Sequence, residues 1–317
     1  MNNQALDLYI KTKKDWDTKA SVRTTHHTYD LDLDGDKKNS YNWHVPTYSA
    51  ILQHEQLKSL SDLNKKFIMG TQLLEFVEKT TKFEVDYVNK VANNFALNKY
   101  KFDLPEILKL DALKIYTDEG FHAHVSQKMS DQIKSYYNIK DDLNPYLKSF
   151  FEKVDNIGSK FEKKYKYLAN ISAVIVSEAM IVQDMSSEMK KVVHEPIRDM
   201  LRDHMIDEIF HANYFSTLFK IIWPQMKDLE KEIMGHNLCE SMIIFGAPRV
   251  DIYYYSFSKL GFDRNEISKF IKDTYDTKIW KIDKVKKRMT QTLNLLKSCG
   301  VFEIPSVKEE FSNKNLI

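Results

Sequence analysis

Apolar residues recur along most of the chain at the spacing of an amphipathic α-helix, and no segment sustains the alternation expected of a β-strand. Pro105, Pro145 and Pro196 stand where a helix is expected to begin, because proline suits the first helical turn. The pattern predicts helices near residues 47–64, 66–98, 105–130, 144–153, 158–191, 197–222, 226–245, 249–259, 264–276 and 278–298.

These helices leave a polar segment at each end of the chain and no linker that would divide it. Residues 1–46 are expected to form an N-terminal arm; its stretch 17–47, which contains DLDLDGDKKNS, is interpreted as an arm or surface loop. Residues 47–300 are the predicted helical core, and residues 301–317 are expected to be a frayed C-terminal tail. We therefore predict one all-α domain over residues 1–317, built as a helix bundle.

Composition narrows the possible functions. The 47 basic and 45 acidic residues are spread along the chain, so the formal charge of +2 indicates a solvated surface and not a nucleic-acid footprint. Cys239 and Cys299 match no zinc or disulfide spacing and are expected to be inert thiols. The N-terminus has no apolar core of signal-peptide length, and the longest apolar runs are too short for a bilayer. We therefore predict a soluble, cytoplasmic protein.

The stretch DHMIDEIFH, residues 203–211, places two imidazoles and a carboxylate on one side of a helix. His204, Glu208 and His211 lie within about 60° of one another, because each residue of an α-helix advances by 100°. Leu201 and Phe215 continue the same stripe, which marks this face as the buried one. Burying an isolated carboxylate costs at least several kcal/mol, so a partner is expected.

Three other helices also carry acids on an apolar stripe: Glu84 in the second, Glu119 with His122 in the third, and Glu178 in the fifth. The charged neighbours of Glu84 are expected on the solvated face of that helix; they are Glu75, Lys79, Lys82 and Asp86. A single glutamate on such a stripe is often a salt-bridged core residue. The ordered combination of Glu, Glu-x-x-His, Glu and Glu-x-x-His instead predicts a metal site.

This donor set is that of ferritin-like di-iron carboxylate bundles. Four carboxylates cancel the four positive charges of two Fe(II) ions, and carboxylate with imidazole suits iron or manganese better than structural zinc. Asp118 and Asp207 each precede a motif glutamate, and we expect them to accept a hydrogen bond from the opposite histidine. The alternative for both is an exposed helix carboxylate.

With these motifs, HxxxExxH above all, the chain resembles the AurF-type N-oxygenases, di-iron enzymes related to p-aminobenzoate N-oxygenase. The resemblance covers roughly residues 40–300, including YNWHVPTY and KFEVDYVNKVA. It implies a ribonucleotide-reductase-like four-helix core with additional helices, and helices after residue 222 that form a lid and substrate wall. The implied metal ligands are Glu84, Glu119, His122, Glu178, His204, Glu208 and His211.

The resemblance also implies the reaction. Two irons, reduced by an external electron donor, would activate O2 and oxidise an amine nitrogen to hydroxylamine, with possible further oxidation to nitroso or nitro, in a homodimer. No separate catalytic acid or base is assigned. The open alternatives are a di-iron carbon hydroxylase or desaturase, and a ferroxidase or metal-storage protein.

The substrate pocket is less well defined by the sequence. A carboxylated arylamine would suit an arginine fork, and Arg202 and Arg249 are the candidates, because no arginine occurs between Arg23 and Arg198. Tyr87 and Tyr116 lie one turn from ligand carboxylates. They are expected either to line the pocket or simply to pack in the core.

Overall fold

The structure is a computed structural model that describes residues 2–13, 15–24, 29–31, 49–189 and 194–317. No strand occurs among these residues, which confirms the all-α prediction. The α-helices are α1 (Asn2–Thr12), α2 (Trp16–Lys19), α3 (Ser21–Thr24), α4 (Asp62–Phe83), α5 (Asn89–Ala96), α6 (Glu106–Tyr137), α7 (Asn144–Asp155), α8 (Lys166–Met189), α9 (Glu195–Ile222), α10 (Asp228–Gly246), α11 (Asp251–Lys259), α12 (Arg264–Tyr275), α13 (Lys284–Arg288), α14 (Thr290–Ser298) and α15 (Pro305–Asn313).

Four long helical stretches form the bundle that holds the site: α4 continued by α5, then α6, α8 and α9. Helix α6 packs against α4 and α5, α9 packs against α8, and α6 and α9 also contact each other. Each presents an apolar stripe inward, and the amphipathic pattern of the sequence is the physical reason for this arrangement. Helices α10 and α11 pack on the outside of α8 and α4 respectively.

Several boundaries differ from the prediction for local reasons. Helix α6 continues to Tyr137 and ends where Asn138 adopts a left-handed conformation, with φ of 52°. Helix α8 starts at Lys166 and not at residue 158, because Gly158, with φ of +68°, lies in a turn. The predicted helix 278–298 is interrupted at Met289, between α13 and α14.

The N-terminal arm predicted over residues 1–46 begins with helices, so the prediction of an arm or surface loop from residue 17 was wrong for its first part. Helices α1 to α3 cover most of residues 2–24, and α1 packs against α9 with Tyr9 buried. The Tyr9 hydroxyl donates to Asp111 Oδ2 at 2.8 Å, which ties the segment to α6. Residues 32–48, including most of DLDLDGDKKNS and all of YNWHVPTY, lie outside the described residues.

The prediction of a frayed C-terminal tail was also wrong. Helix α15 packs against α10, and Val307 and Phe311 are fully buried. A Cβ at Gly235 would lie 2.6 Å from Val307, so glycine there permits the close approach of the two helices. Apolar residues four positions apart give this short helix a buried face, which the polar composition of the segment concealed.

Helix α8 is the most apolar of the bundle. The stretch Lys163–Gln183 is long and apolar enough to cross a membrane by composition, although the single runs within it are short. In this fold 61% of that window is buried inside the protein. Its position between α9 and α10 makes it the core helix of a bundle.

Candidate metal centre

The four helical stretches bring seven acids and histidines into one buried cluster, each at most 4% exposed. Two overlapping groups have donor atoms within 4.8 Å of one another, and both contain His122 and Glu208. Glu178 adjoins the second group, with its Oε2 3.7 Å from His211 Nδ1. The first group is Glu84, His122, His204 and Glu208, and the second is Glu119, His122, Glu208 and His211.

Two glutamates lie between the two motif histidines. Glu119 Oε1 is 3.0 Å from His211 Nδ1, and its Oε2 is 3.5 Å from His122 Nδ1. Glu208 Oε1 is 3.6 Å from both of these nitrogen atoms. Each carboxylate therefore faces both halves of the cluster.

A local irregularity accompanies Glu84. Residues Glu84–Val88 form a π-helical turn between α4 and α5. The turn keeps both Glu84 and Val88 buried, while Val85 between them is 50% exposed. Such π-turns occur frequently at functional sites. The sequence pattern placed Glu84 on the inward face but did not indicate the change in helical register.

The carboxylates that precede the motif glutamates orient the two motif histidines. His122 Nε2 donates to Asp207 Oδ2 at 3.1 Å, and His211 Nε2 donates to Asp118 Oδ2 at 3.2 Å. Both aspartates are buried, so the alternative of an exposed helix carboxylate does not hold. Because these bonds occupy Nε2, each imidazole turns its Nδ1 toward the cluster.

His204 approaches the cluster through its other nitrogen. Its Nε2 lies 2.9 Å from Glu208 Oε1 and 3.2 Å from Glu84 Oε1. Its ring stacks on that of His122, with centroids 3.9 Å apart and planes at 28°. Nε2 lies farther from the backbone than Nδ1 does, so His204 can face the same cluster although it lies seven positions before His211.

Burial and the charges of neighbouring groups shift the pKa values of the acids and histidines in the cluster. Desolvation raises the pKa of Glu84 to about 7 and the pKa of Glu178 well above its usual range. Burial alone would lower the pKa of His211, but Glu208 and Glu119 outweigh it and hold that pKa well above the usual value. Burial likewise opposes ionisation of Glu208, yet His211 and His204 hold its pKa well below the usual range.

The donor chemistry fits two divalent cations. Among the described residues, several buried atoms that face the cluster have no hydrogen-bond partner; they are both carboxylate oxygens of Glu84 and Glu119, Oε2 of Glu178 and Glu208, and Nδ1 of His122 and His211. Unsatisfied buried acceptors of this kind are costly unless an ion compensates them. Four carboxylates balance two divalent charges, and carboxylate with imidazole suits iron or manganese.

A cavity of about 430 Å³ adjoins the cluster. Its lining runs from the buried Glu84 and Glu178 to the exposed Lys284 and Lys287, so it connects the cluster with the surface. Helices after residue 222 supply much of this wall, including Phe245 and segments of α11 to α13. That these helices form a lid or a substrate wall stays a prediction.

Most charged residues of the cavity lining outside the cluster are basic, within the part of the chain that the structure describes. One acid, Glu75, faces the cavity with five basic residues, here called the basic lining; they are Lys79, Arg249, Lys284, Lys287 and Arg288. Arg249 Nε donates to Glu75 Oε2 at 3.0 Å. Glu75 and Lys79 are 7% and 9% exposed, so the prediction that they lie on a solvated face was wrong. They are buried because α11 and the segment before it, which contains Arg249, cover that side of α4.

The other residues proposed for the pocket lie elsewhere. Tyr87 donates to Asp155 Oδ1 at 2.7 Å and stacks on Phe83 and Phe151. Tyr116 is 47% exposed. Arg202 pairs with two aspartates of its own helix on the exposed face of α9. None of the three is among the described residues that line the cavity, whereas Arg249 is.

Comparison with known protein families gives a match over most of the chain. The family model described as P-aminobenzoate N-oxygenase AurF matches residues 17–300. No curated protein matches the chain. The match spans all four helical stretches that carry the cluster, together with most of the helices that wall the cavity.

Proposed function

Because the chain belongs to the family of the p-aminobenzoate N-oxygenase AurF, we propose that it is an O2-dependent di-iron enzyme that oxidises the nitrogen of a small amine. The product would be a hydroxylamine or a more oxidised nitrogen. One observation carries the proposal. Buried carboxylate oxygens and imidazole nitrogens that have no hydrogen-bond partner among the described residues lie beside a cavity that reaches the surface.

The proposed ligand assignment follows the distances. Glu84, His122 and His204 would hold one iron, Glu178 and His211 the other, and two carboxylates would bridge them. The bridging pair is Glu119 and Glu208. Bound iron would supply O2 activation once an external donor has reduced it.

The residues of the chain would bind and orient the reactants. Asp118 and Asp207 fix the tautomer and direction of the two motif histidines, so that Nδ1 is available for a metal. Leu73 and Phe245 give the cavity apolar wall that excludes water from the reacting nitrogen. Holding the amine beside the irons converts an encounter into an intramolecular step.

The basic lining supports a substrate that bears an anionic group remote from its amine. Among the described residues outside the cluster, the cavity lining has five cationic side chains and one acid, Glu75. An anion there would direct the uncharged amine toward Glu84 and Glu178. A cytoplasmic location, a homodimer and a separate reductase complete the proposal.

Anaerobic loading with Fe(II), followed by O2 and a panel of amines, tests this function. We expect about two irons per chain and nitrogen-oxidised products in mass spectrometry, with anionic arylamines preferred over neutral analogues. A chain that binds no iron would contradict the proposal. Hydroxylation on carbon would favour the hydroxylase or desaturase alternative, and iron oxidation without any organic product would favour the ferroxidase.

A further inference from the structure

The N-terminal helices contact the metal centre from outside the cavity. Trp16 Nε1 donates to both carboxylate oxygens of Asp118, at 2.9 Å each. The backbone N–H of Ser21 donates to both oxygens of Asp207, at 3.2 Å each. Neither Trp16 nor Ser21 is among the described residues that line the cavity. This segment therefore reaches both aspartates that orient the motif histidines.

One of these contacts completes a continuous path from the surface to the cluster. The Trp16 indole is partly exposed, whereas Asp118 and His211 are fully buried. Asp118 Oδ2 accepts from both Trp16 Nε1 and His211 Nε2. The opposite ring nitrogen of His211 lies 3.0 Å from Glu119 within the cluster. Three side chains and two hydrogen bonds thus join the surface to a proposed iron ligand.

We propose that Trp16 is the residue through which an external one-electron donor reduces the iron held by His211. This inference rests on the proposed di-iron function. The donor would belong to the class of one-electron carriers, such as a reduced iron–sulfur protein. Two successive transfers convert two Fe(III) to two Fe(II) and oxidise two donor molecules. No covalent bond forms or breaks, and Trp16 and Asp118 are unchanged at the end.

The proposed electron path and the substrate cavity reach the metal centre from different sides. The amine enters through the cavity wall formed by α4 and the helices after residue 222, whereas Trp16 lies beside α6 and α9. A donor at Trp16 can act while the cavity holds an amine. Ser21, which bonds the second aspartate through its backbone, has no redox-active side chain, so the path through Asp118 is the one assigned.

The test is the rate at which the oxidised, iron-loaded protein is reduced by methyl viologen radical cation in anaerobic stopped flow. This probe is cationic, so the basic lining disfavours its entry through the cavity. In Trp16→Phe, which keeps an aromatic ring but loses the N–H, we expect reduction to slow by about tenfold or more. A tenfold change in rate corresponds to about 1.4 kcal/mol in the activation barrier. Trp223→Phe, a buried tryptophan at the end of α9, is the matched control and should not slow reduction.

Two further measurements distinguish electron transfer from a structural role. Iron content and the midpoint potential of Trp16→Phe should equal those of the unaltered protein, because the ligands remain in place. A reduction rate equal to that of the control would overturn the inference, and so would a slower rate accompanied by a shifted potential or lost iron. Failure of the unaltered chain to bind two irons would instead contradict the proposed function.

Discussion

Glu75 and Glu84 are buried carboxylates nine positions apart on one helical stretch, and their partners distinguish them. Glu75 accepts from Arg249, whereas both oxygens of Glu84 lack a hydrogen-bond partner among the described residues. We expect Glu84→Gln to lower iron content below that of the unaltered protein, because an amide neutralises one of four charges that balance the ions. Glu75→Gln is the control and should retain iron. Metal analysis with circular dichroism checks both; full iron in Glu84→Gln would show that Glu84 is not a ligand.

His204 is the donor that a generic di-iron bundle would not need. Since a neutral imidazole adds a ligand without changing the charge balance, we expect His204→Ala to retain most of its iron. The Mössbauer spectrum of ⁵⁷Fe-loaded protein should change at one of two inequivalent sites, because His204 Nε2 faces Glu84 and Glu208. His124→Ala, an exposed histidine of α6, is the control. An unchanged spectrum would leave His204 as a hydrogen-bonded core residue.

At the scale of elements, the π-turn at Glu84–Val88 shows how the fold adjusts a helix to its site. The apolar stripe predicted one continuous helix over 66–98, and the structure follows it except at this turn. The wider turn alters the phase between α4 and α5, so both halves keep a buried face while Glu84 points inward. The residues of the turn carry no local signal for this register, because it depends on packing against α6 and α8.

Helix α15 should contribute to the stability of the fold, although its sequence predicted a frayed C-terminal tail. Phe311 is fully buried, and its ring lies 5.1 Å from that of Phe302. Loss of a buried phenylalanine side chain typically costs about 3–5 kcal/mol. We expect Phe311→Ala to lower the free energy of unfolding by that amount in urea denaturation. Glu309→Ala on the exposed side of α15 should change it little, and equal stability of the two variants would contradict the packing of this helix.

For the whole molecule, the cluster should couple stability to pH and metal. The folded-state pKa of Glu84 is raised to about 7, from 4.5, by desolvation, and burial also raises that of Glu178 well above its usual range. A raised pKa means that the folded state binds more protons, so this stabilisation is present below pH 4.5 and lost as pH rises through 7. His211, with its pKa also raised, acts in the same direction above pH 6.5.

We therefore expect the metal-free chain to have a lower melting temperature at pH 8 than at pH 6. Iron binding requires deprotonated donors, so the stabilisation by Fe(II) should be larger at pH 8. Anaerobic thermal denaturation at both pH values, with and without iron, checks this. The double variant Glu84→Gln with Glu178→Gln should lose the part of the pH dependence that these carboxyls contribute, while the part that His211 contributes should remain. A difference in melting temperature between iron-loaded and metal-free protein that becomes smaller as pH rises would contradict the coupling.

The sequence by itself determined which side chains face the bundle core. The angle between positions on a helix is a local property, so the spacing of His204, Glu208 and His211 requires a common face wherever that helix packs. The same reasoning found Glu84 and Glu178, and charge balance then predicted two divalent ions. This reasoning from helix periodicity was wrong for Glu75. The face of α4 opposite its core stripe packs against α11 and is not exposed to water.

Only the tertiary structure decided which groups meet across the bundle. Arg249 pairs with Glu75 across 174 positions, and Trp16 bonds Asp118 across 102. No periodicity encodes such pairings, because they depend on how separate helices dock. The same holds for the cavity, whose described lining runs from Gln72 to Arg288, and for the nitrogen that each histidine turns inward. The local geometry of a helix can be inferred from its residues, whereas contacts between helices arise from the packing of the whole chain.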